Sequence, residues 1–269
     1  METTTLQAKK YALVTGAASG MGRSYALRLA ERGYALVVVD CQAERLEVVA
    51  DEIRRQTKAE VKSLVQDLTA DGAVEELFAR TESQGLEVEV VVSNAGRLLF
   101  GGFASASAAD LESLLSLHCS VTTHLCHRFG ARMRERGRGY LLLMSSTTAR
   151  MGLPSIALYA ATKRYIDTLG SALHDEWAND GVAVTVVCPG AVDTPFYALD
   201  EKMRRWLLRL GVMLTPDEVV RRALRALFYK RKHLTPGWAA KLMVALCAIC
   251  PSWVVRQIVK IGWVKRLLA

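Results

Sequence analysis

The sequence predicts an α/β fold: a doubly wound parallel sheet in a single domain that ends in a basic, hydrophobic C-terminal extension. Three observations predict it. Short aliphatic runs alternate with longer stretches of helical spacing over the first two hundred residues, the pattern of βαβ units. The runs are apolar almost throughout, as strands are when helices cover both faces of a sheet. A glycine-rich turn follows the first run directly.

The elements follow in chain order. Strands are predicted at 11–15, 35–40, 61–64, 88–93, 140–145 and 182–187. Helices are predicted at 23–32, 44–56, 71–84, 110–136 and 158–179, where apolar residues recur at helical spacing. After Pro189 a loop and a short helix reach about Gly211. Thr215, Pro216, Asp217 and Glu218 then read as a helix start: Thr caps, Pro suits the first turn, and acids suit the positive helix end. That helix is expected to run to about Lys230, and residues 232–236 offer a last short strand. From Gly237 a tryptophan-bearing tail reads as two short helices broken near Pro251.

Composition narrows the class. The chain has 269 residues, 51% hydrophobic and 23% charged, which is globular and not disordered. Six cysteines in a chain of this size do not suggest a disulfide framework, so a reducing compartment is expected. The opening residues lack the apolar run of a secretory leader, and no run reaches the ~20 residues of a membrane-spanning helix. The net charge of +8 is unevenly spread. From Lys202 onward 15 Lys or Arg stand against two acids, Asp217 and Glu218, so that segment carries +13 and the preceding residues carry −5. A mildly acidic body with a basic tail argues against a general nucleic-acid binder, whose basic footprint lies on the folded body.

Three constellations carry chemistry. Gly16, Ser19, Gly20, Met21 and Gly22 lie in a turn between the first strand and a helix. Glycines there let the backbone approach a pyrophosphate, which the helix N-terminus holds; this is the Rossmann-type arrangement. The spacing G-x-x-x-G-x-G differs from the commoner dinucleotide fingerprint. Asp40 ends the second strand, where a carboxylate accepts hydrogen bonds from ribose hydroxyls and repels a 2′-phosphate. No Lys or Arg stands at Ser19 or Cys41, so NAD is favoured over NADP, with Arg45 as the opposing feature. Tyr159 and Lys163, four apart, share one helix face. A nearby ammonium stabilises phenolate and makes the tyrosine a usable proton donor and acceptor. Ser146 lies thirteen residues before Tyr159, just after an apolar strand.

With these residues in order, the sequence resembles the short-chain dehydrogenase/reductase family. The likeness rests on TGAASGMG (15–22), Asp40, Asp67–Leu68, Asn94–Ala95–Gly96, Ser146, the Tyr159–Lys163 segment and PGAVDT (189–194), and covers about residues 8–196. The resemblance implies roles. Gly16, Gly20 and Gly22 would form the cofactor turn, and Asp67, with Leu68 beside it, would contact the adenine. Asn94, Ala95 and Gly96 would steady the sheet beside the cofactor. Lys163 would also hold the nicotinamide ribose. Val192 and Thr194, on the loop opened by Pro189 and Gly190, would bind the nicotinamide carboxamide. Ser146 would orient the substrate oxygen, and Tyr159 would be the catalytic acid/base in reversible hydride transfer. The implied division is an NAD(P)-binding catalytic domain over 1–236, with a substrate lid at about 194–214, and an extension over 237–269. Family members commonly pair through two long helices, here about 110–136 and 158–179, so a homodimer or homotetramer is expected.

One position departs from the family pattern. Many members carry an asparagine in the long central helix, supporting a water-linked proton relay, and His118 stands there here. Imidazole also hydrogen-bonds water or a carbonyl; a relay through solvent, or slightly impaired catalysis, is the alternative. No metal is expected. His118, Cys119, His124, Cys126 and His127 match no structural zinc spacing, and His124 and His127 have no carboxylate beside them in sequence. Cys247 and Cys250 form a C-x-x-C, but in an apolar tail with no strand leading into it, and read as buried small hydrophobes.

The tail and the lid bear on substrate and location. Trp206, Trp238, Trp253 and Trp263 are interleaved with Arg and Lys, the composition of a peripheral contact with anionic membrane. An apolar lid or a subunit contact with a solvated basic face explains it equally. The expected location is cytoplasmic, with peripheral membrane association as the added alternative. The lid carries Phe196, Leu199, Met203, Trp206, Leu207 and Leu210, which suits a lipophilic alcohol or ketone (steroid, retinoid or fatty acyl), while Arg204 or Arg205 could meet a substrate carboxylate or phosphate. The competing class is a nucleotide-binding regulator or scaffold that kept the fold and lost turnover. A lyase or epimerase that retains its cofactor is a third reading.

Overall fold

In the computed structural model the described residues are 9–152, 154–194 and 200–249. Seven strands form one parallel sheet in the order β3-β2-β1-β4-β5-β6-β7. They are β1 (Lys10–Thr15), β2 (Ala35–Asp40), β3 (Val61–Val65), β4 (Glu87–Ser93), β5 (Gly139–Met144), β6 (Val182–Val187) and β7 (His233–Leu234). The helices are α1 (Gly20–Ala30), α2 (Ala43–Thr57), α3 (Ala73–Ser83), α4 (Ala108–Leu115), α5 (Val121–Glu135), α6 (Ala157–Glu176), α7 (Glu201–Arg209), α8 (Pro216–Phe228) and α9 (Trp238–Ile249).

Alternation along each strand divides the core in two. Ala12, Val14, Leu36, Val38, Val90 and Val92 point to the side covered by α1, α2 and α8, where Tyr25, Leu29, Ile53, Val219 and Leu224 are buried. Leu13, Val37, Val39, Val91, Leu141 and Leu143 point to the side covered by α3, α5 and α6, where Leu77, Leu125, Phe129 and Ile166 are buried. Both sheet faces are therefore apolar, as the continuous strand runs predicted. The chain crosses from one half of the sheet to the other between β1 and β4. That switch point opens a crevice at the carboxyl ends of the strands.

Two elements differ from expectation. The helix expected over 110–136 is three pieces: α4, a π-turn at Ser116–Ser120, and α5. A π-turn adds a residue to the helical ladder while apolar spacing continues on either side, so periodicity does not reveal it. The segment after Gly237 begins as expected with a helix, but this helix packs onto the body. Ala240 is buried beside Gly190, and the indole Nε1 of Trp238 donates to the carbonyl of Leu210 at 3.3 Å. The expected second tail helix beyond Pro251, the 195–199 part of the lid and the Cys247–Cys250 pair lie outside the described residues or side chains. The expected start of α8 is present as a reciprocal cap: Thr215 Oγ1 accepts from the Glu218 amide, and Glu218 Oε2 accepts from the Thr215 amide at 3.1 Å. No described helix is long and apolar enough to cross a membrane.

Candidate active site

A cleft of about 590 Å³ runs along the carboxyl ends of the strands. Gly16, Ser19, Gly20 and Met21 line one end, Ser146, Tyr159 and Lys163 the middle, and Pro189, Gly190, Val192 and Thr194 one wall. Asp40, Asp67, Leu68, Asn94, Ala95, Gly96 and His118 also face it. Of the residues expected at the site, only Gly22 does not line this cleft; it lies beneath the turn.

The turn needs its glycines for separate reasons. Gly16 has φ +66°, and a Cβ there would stand 2.9 Å from the Cα of Ala95. Gly20 has φ +53°. At Gly22 the φ is ordinary, but a Cβ would fall 1.9 Å from the carbonyl oxygen of Gly16. Helix α1 begins at Gly20 with no acidic residue in its first turn and no side-chain cap from Ser19. Its positive end and amide donors therefore suit a pyrophosphate.

Polar bonds fix the floor. Thr15 Oγ1 accepts from the amides of Asn94 and Ala95, both at 3.0 Å, and donates to the carbonyl of Val92. Asn94 Nδ2 donates to the carbonyls of Thr15 and Gly16. The side chains of Thr15 and Asn94 thus tie β1 to β4 where the sheet splits. Asp40 is buried, and its two carboxylate oxygens accept from the amides of Ala18 and Gln42, each at 3.0 Å. It shapes the glycine turn as well as facing the cleft. Asp67 accepts from the amide and hydroxyl of Thr69, bonds that hold its carboxyl below the usual range.

The Tyr159–Lys163 face is backed by β5. Lys163 is 5% exposed and its Nζ donates to the carbonyl of Met144 at 2.8 Å. Burial lowers its pKa from 10.5 to about 8. The ammonium lies 5.6 Å from the centroid of the Tyr159 ring. Ser145 Oγ donates to the carbonyl of Lys163 at 2.7 Å, fastening α6 to the end of β5. Ser146 is buried at the start of the turn Thr147–Arg150, and its Oγ accepts from the amide of Thr148 at 3.2 Å. That contact leaves its O–H free to donate.

His118 sits inside the π-turn and is 1% exposed. Its Nε2 accepts from the amide of Arg97 at 3.2 Å, and its Nδ1 lies 2.8 Å from Thr162 Oγ1. An amide can only donate, so Nε2 is the unprotonated nitrogen and Nδ1–H donates to Thr162. Thr162 in turn donates to the carbonyl of Tyr159. Burial first, and the charges of Lys163 and Arg97 after it, lower the His118 pKa from 6.5 to about 2. Both ring nitrogens are engaged within the protein, and the ring packs edge-on to Tyr159 at 5.7 Å.

The lid arginines are differently occupied from expectation. Arg204 forms a two-point bridge to Asp193 at 2.7 and 2.9 Å, and Arg205 pairs with Glu201, so neither waits unpaired for a substrate anion. His124, read as lacking a carboxylate beside it in sequence, lies 3.7 Å from Glu75, which is itself bound by Arg128; α3 and α5, which carry them, meet only in the fold. Sequence reading gave no role to Thr15, Ser145, Thr162 or Arg97. A hydroxyl at the end of each apolar strand was the available signal for the first two. The last two act through a hydroxyl and a backbone amide, which leave no pattern.

A sequence model described as short chain dehydrogenase matches residues 10–205. Rattus norvegicus 17-beta-hydroxysteroid dehydrogenase type 3 is 32% identical over 223 residues, covering 80% of this chain and 68% of that protein. Macaca fascicularis very-long-chain 3-oxoacyl-CoA reductase is 26% identical over 259 residues, covering 93% and 78%. Among solved structures, a short-chain dehydrogenase from Sphingobium yanoikuyae in complex with NADPH superposes with a TM-score of 0.77 at 26% identity, covering 95% of each chain. A 7beta-hydroxysteroid dehydrogenase gives a TM-score of 0.84 at 25% identity, covering 92% of this chain and 96% of that one. Strand order, glycine turn and matched span agree, and this chain belongs to the short chain dehydrogenase family of NAD(P)-dependent oxidoreductases.

Proposed function

We propose that this enzyme interconverts a hydroxyl and a carbonyl on a lipophilic substrate, with Ser146, Tyr159 and Lys163 as its catalytic set. The observation that carries the reading is the buried ammonium of Lys163, bonded to the Met144 carbonyl and facing the Tyr159 ring in the cleft that also holds the glycine turn. Keeping this positive charge out of water is costly, as its lowered pKa shows, and its effect on a neighbouring phenol is to favour phenolate.

In the oxidation direction Tyr159, as phenolate, accepts the proton of the substrate hydroxyl. Ser146 donates a hydrogen bond to the same oxygen, and Lys163 stabilises the phenolate. In reduction Tyr159 gives the proton back. The hydride chemistry is what a nicotinamide would supply when bound. The turn suits a dinucleotide, because Gly16 and Gly20 line the cleft and α1 starts there with no side-chain cap on its amides, while Cβ atoms at Gly16 and Gly22 would break the turn itself. Asp67 and Leu68 would flank the adenine, Lys163 the nicotinamide ribose, and Val192 and Thr194 the carboxamide. His118 is a positioning residue that acts through Arg97 and Thr162.

The cofactor reading favours NAD(H). Asp40 presents a carboxylate at the end of β2, and each oxygen keeps a lone pair beyond its amide bond for ribose hydroxyls. Arg45, which among the described residues bonds the Gln42 side chain, lines the same cleft and is the feature that would admit a 2′-phosphate. The Sphingobium relative carries NADPH, so the preference rests on Asp40 alone.

A steroid or long acyl substrate is supported by the relatives' names and by the exposed apolar side chains of α7, Met203 and Trp206, with Leu210 next to it. The same surface, with Trp238, Leu242 and Leu246 on α9, suits peripheral contact with anionic membrane. Pairing of two copies through α5 and α6 completes the reading. The test is turnover of hydroxysteroids and long-chain alcohols with NAD⁺, beside small polyols. Tyr159→Phe is expected to lower kcat by about 10²–10⁴-fold while dinucleotide affinity holds. Preference for polyols would overturn the substrate class, and an active Tyr159→Phe would overturn the mechanism.

A further inference from the structure

A second cavity of about 490 Å³ lies between the C-terminal half of α8, β7 and the start of α9. It shares no lining residue with the catalytic cleft. Arg222, Arg225, Arg231 and Lys241 line it beside Tyr229, and no carboxylate does.

The arginines of the body set the contrast. Arg28, Arg54, Arg97, Arg132 and Arg204 each hold a carboxylate. Among the described residues no ion pair reaches Arg222, Arg225, Arg231 or Lys241. The acids of α8 are at its other end: Asp217 is taken by Arg28 and Arg221, and Glu218 closes the helix cap.

The local fold brings the four cations together. Arg222 and Arg225 are three apart on α8 and share a face. Lys230 adopts φ +53° and turns the chain back, so that the Arg231 amide bonds the Ala226 carbonyl at 2.9 Å. The Arg225 guanidinium rests 5.7 Å from the Tyr229 ring centroid. The Lys241 amide bonds Gly237, one turn into α9. Part of this charge complements the negative end of α8. Arg222, farther from that end, and Lys241, on another helix, do not serve that purpose. All four side chains are exposed, so solvent screens their mutual repulsion, and an anion seated between them would be attracted by all four. Guanidinium groups match phosphate oxygens in paired N–H···O bonds.

We propose that this cavity binds a phosphate-bearing ligand through Arg222, Arg225, Arg231 and Lys241. Its volume takes more than a lone phosphate ion, which leaves room for the rest of a phosphate ester. A soluble phosphate ester and a phosphorylated lipid headgroup share this chemistry.

The full-length protein, with NADH present to occupy the catalytic cleft, is titrated with inorganic pyrophosphate by calorimetry. In parallel it is floated with phosphatidylcholine vesicles with and without phosphatidylinositol 4-phosphate. Pyrophosphate binding points to a soluble ester; retention only on the phosphorylated vesicles points to the headgroup; either supports the site. Arg222→Glu/Arg225→Glu is expected to weaken that binding at least about tenfold, the loss expected for two charged hydrogen-bond partners. The neutral pair Arg222→Gln/Arg225→Gln, milder to the fold, is expected to weaken it in the same direction, at an unchanged thermal midpoint. A variant with Arg256, Lys260, Lys265 and Arg266 changed to Gln separates this cavity from the rest of the basic tail. Binding in neither arm, or binding that survives both α8 variants, overturns the proposal. Neither result touches the proposed reaction, whose residues lie in the other cleft.

Discussion

The imidazole Nδ1 of His118 stands 2.8 Å from the hydroxyl of Thr162, the residue next to Lys163. Because the opposite ring nitrogen takes the Arg97 amide, the ring must be neutral to make both bonds. The π-turn and the catalytic helix are therefore joined through a group that folding holds in one protonation state.

This gives a pH dependence of stability. The folded pKa of His118 is depressed from 6.5 to about 2, so the unfolded chain binds the extra proton first as pH falls. The contribution is complete above pH 6.5 and is lost below it, by about 1 kcal/mol between pH 6.5 and 5.5. His118→Asn, which keeps a hydrogen-bonding side chain and cannot titrate, is expected to flatten that part of the curve. Chemical denaturation at a series of pH values reads the slope; an unchanged slope would remove His118 from the account.

Lys163 trades stability for charge. Its depressed pKa means that protonation at neutral pH opposes folding, an effect that disappears only as pH rises through the unfolded value of 10.5. Lys163→Met is expected to raise the thermal midpoint at pH 7 by ~2 °C or more while lowering turnover. With the ammonium gone, the Tyr159 phenol ionises later, and the rising limb of the oxidation pH profile moves up by ~1–3 units. A lower midpoint together with an unmoved profile would contradict both halves.

The glycines separate by their surroundings. Gly22→Ala places a methyl group against the Gly16 carbonyl and is expected to cost about 1–3 kcal/mol and to weaken dinucleotide binding. Gly152→Ala meets nothing within 4 Å and is expected to change stability by less than about 0.5 kcal/mol. Paired unfolding curves and NADH titrations distinguish the two; equal behaviour would mean that the close approach is not needed.

Asp40 joins specificity to architecture. Asp40→Asn turns one of two acceptor oxygens into a donor facing a backbone amide. NADH affinity is expected to fall about tenfold, with NADPH affinity falling less. Parallel fluorescence titrations give the ratio, and a constant ratio would move the preference elsewhere in the cleft.

The strands were legible because burial on two faces demands unbroken aliphatic runs, and Ala35–Asp40 and Val182–Val187 match to the residue. Tyr159, Lys163 and the glycine turn were legible because their chemistry needs particular side chains at fixed spacing. The hydroxyl bonds of Thr15 and Ser145 and the bond from the Ala18 amide to Asp40 were not, since each depends on a backbone group brought near by another part of the chain. The π-turn at Ser116–Ser120 was hidden because apolar residues recur at ordinary intervals before and after it.

That π-turn has a consequence for the register of the whole central helix. One added residue is absorbed in a single widened turn, so the segments before and after it keep a common register. Leu114 before the turn, His118 within it, and Leu125 and Phe129 after it are all buried. Deleting a single residue between 116 and 120 would restore an even spiral and take His118 away from the Arg97 amide and the Thr162 hydroxyl. The irregular turn is the joint that lets one continuous rod serve the cleft at its upper half and the core at its lower half.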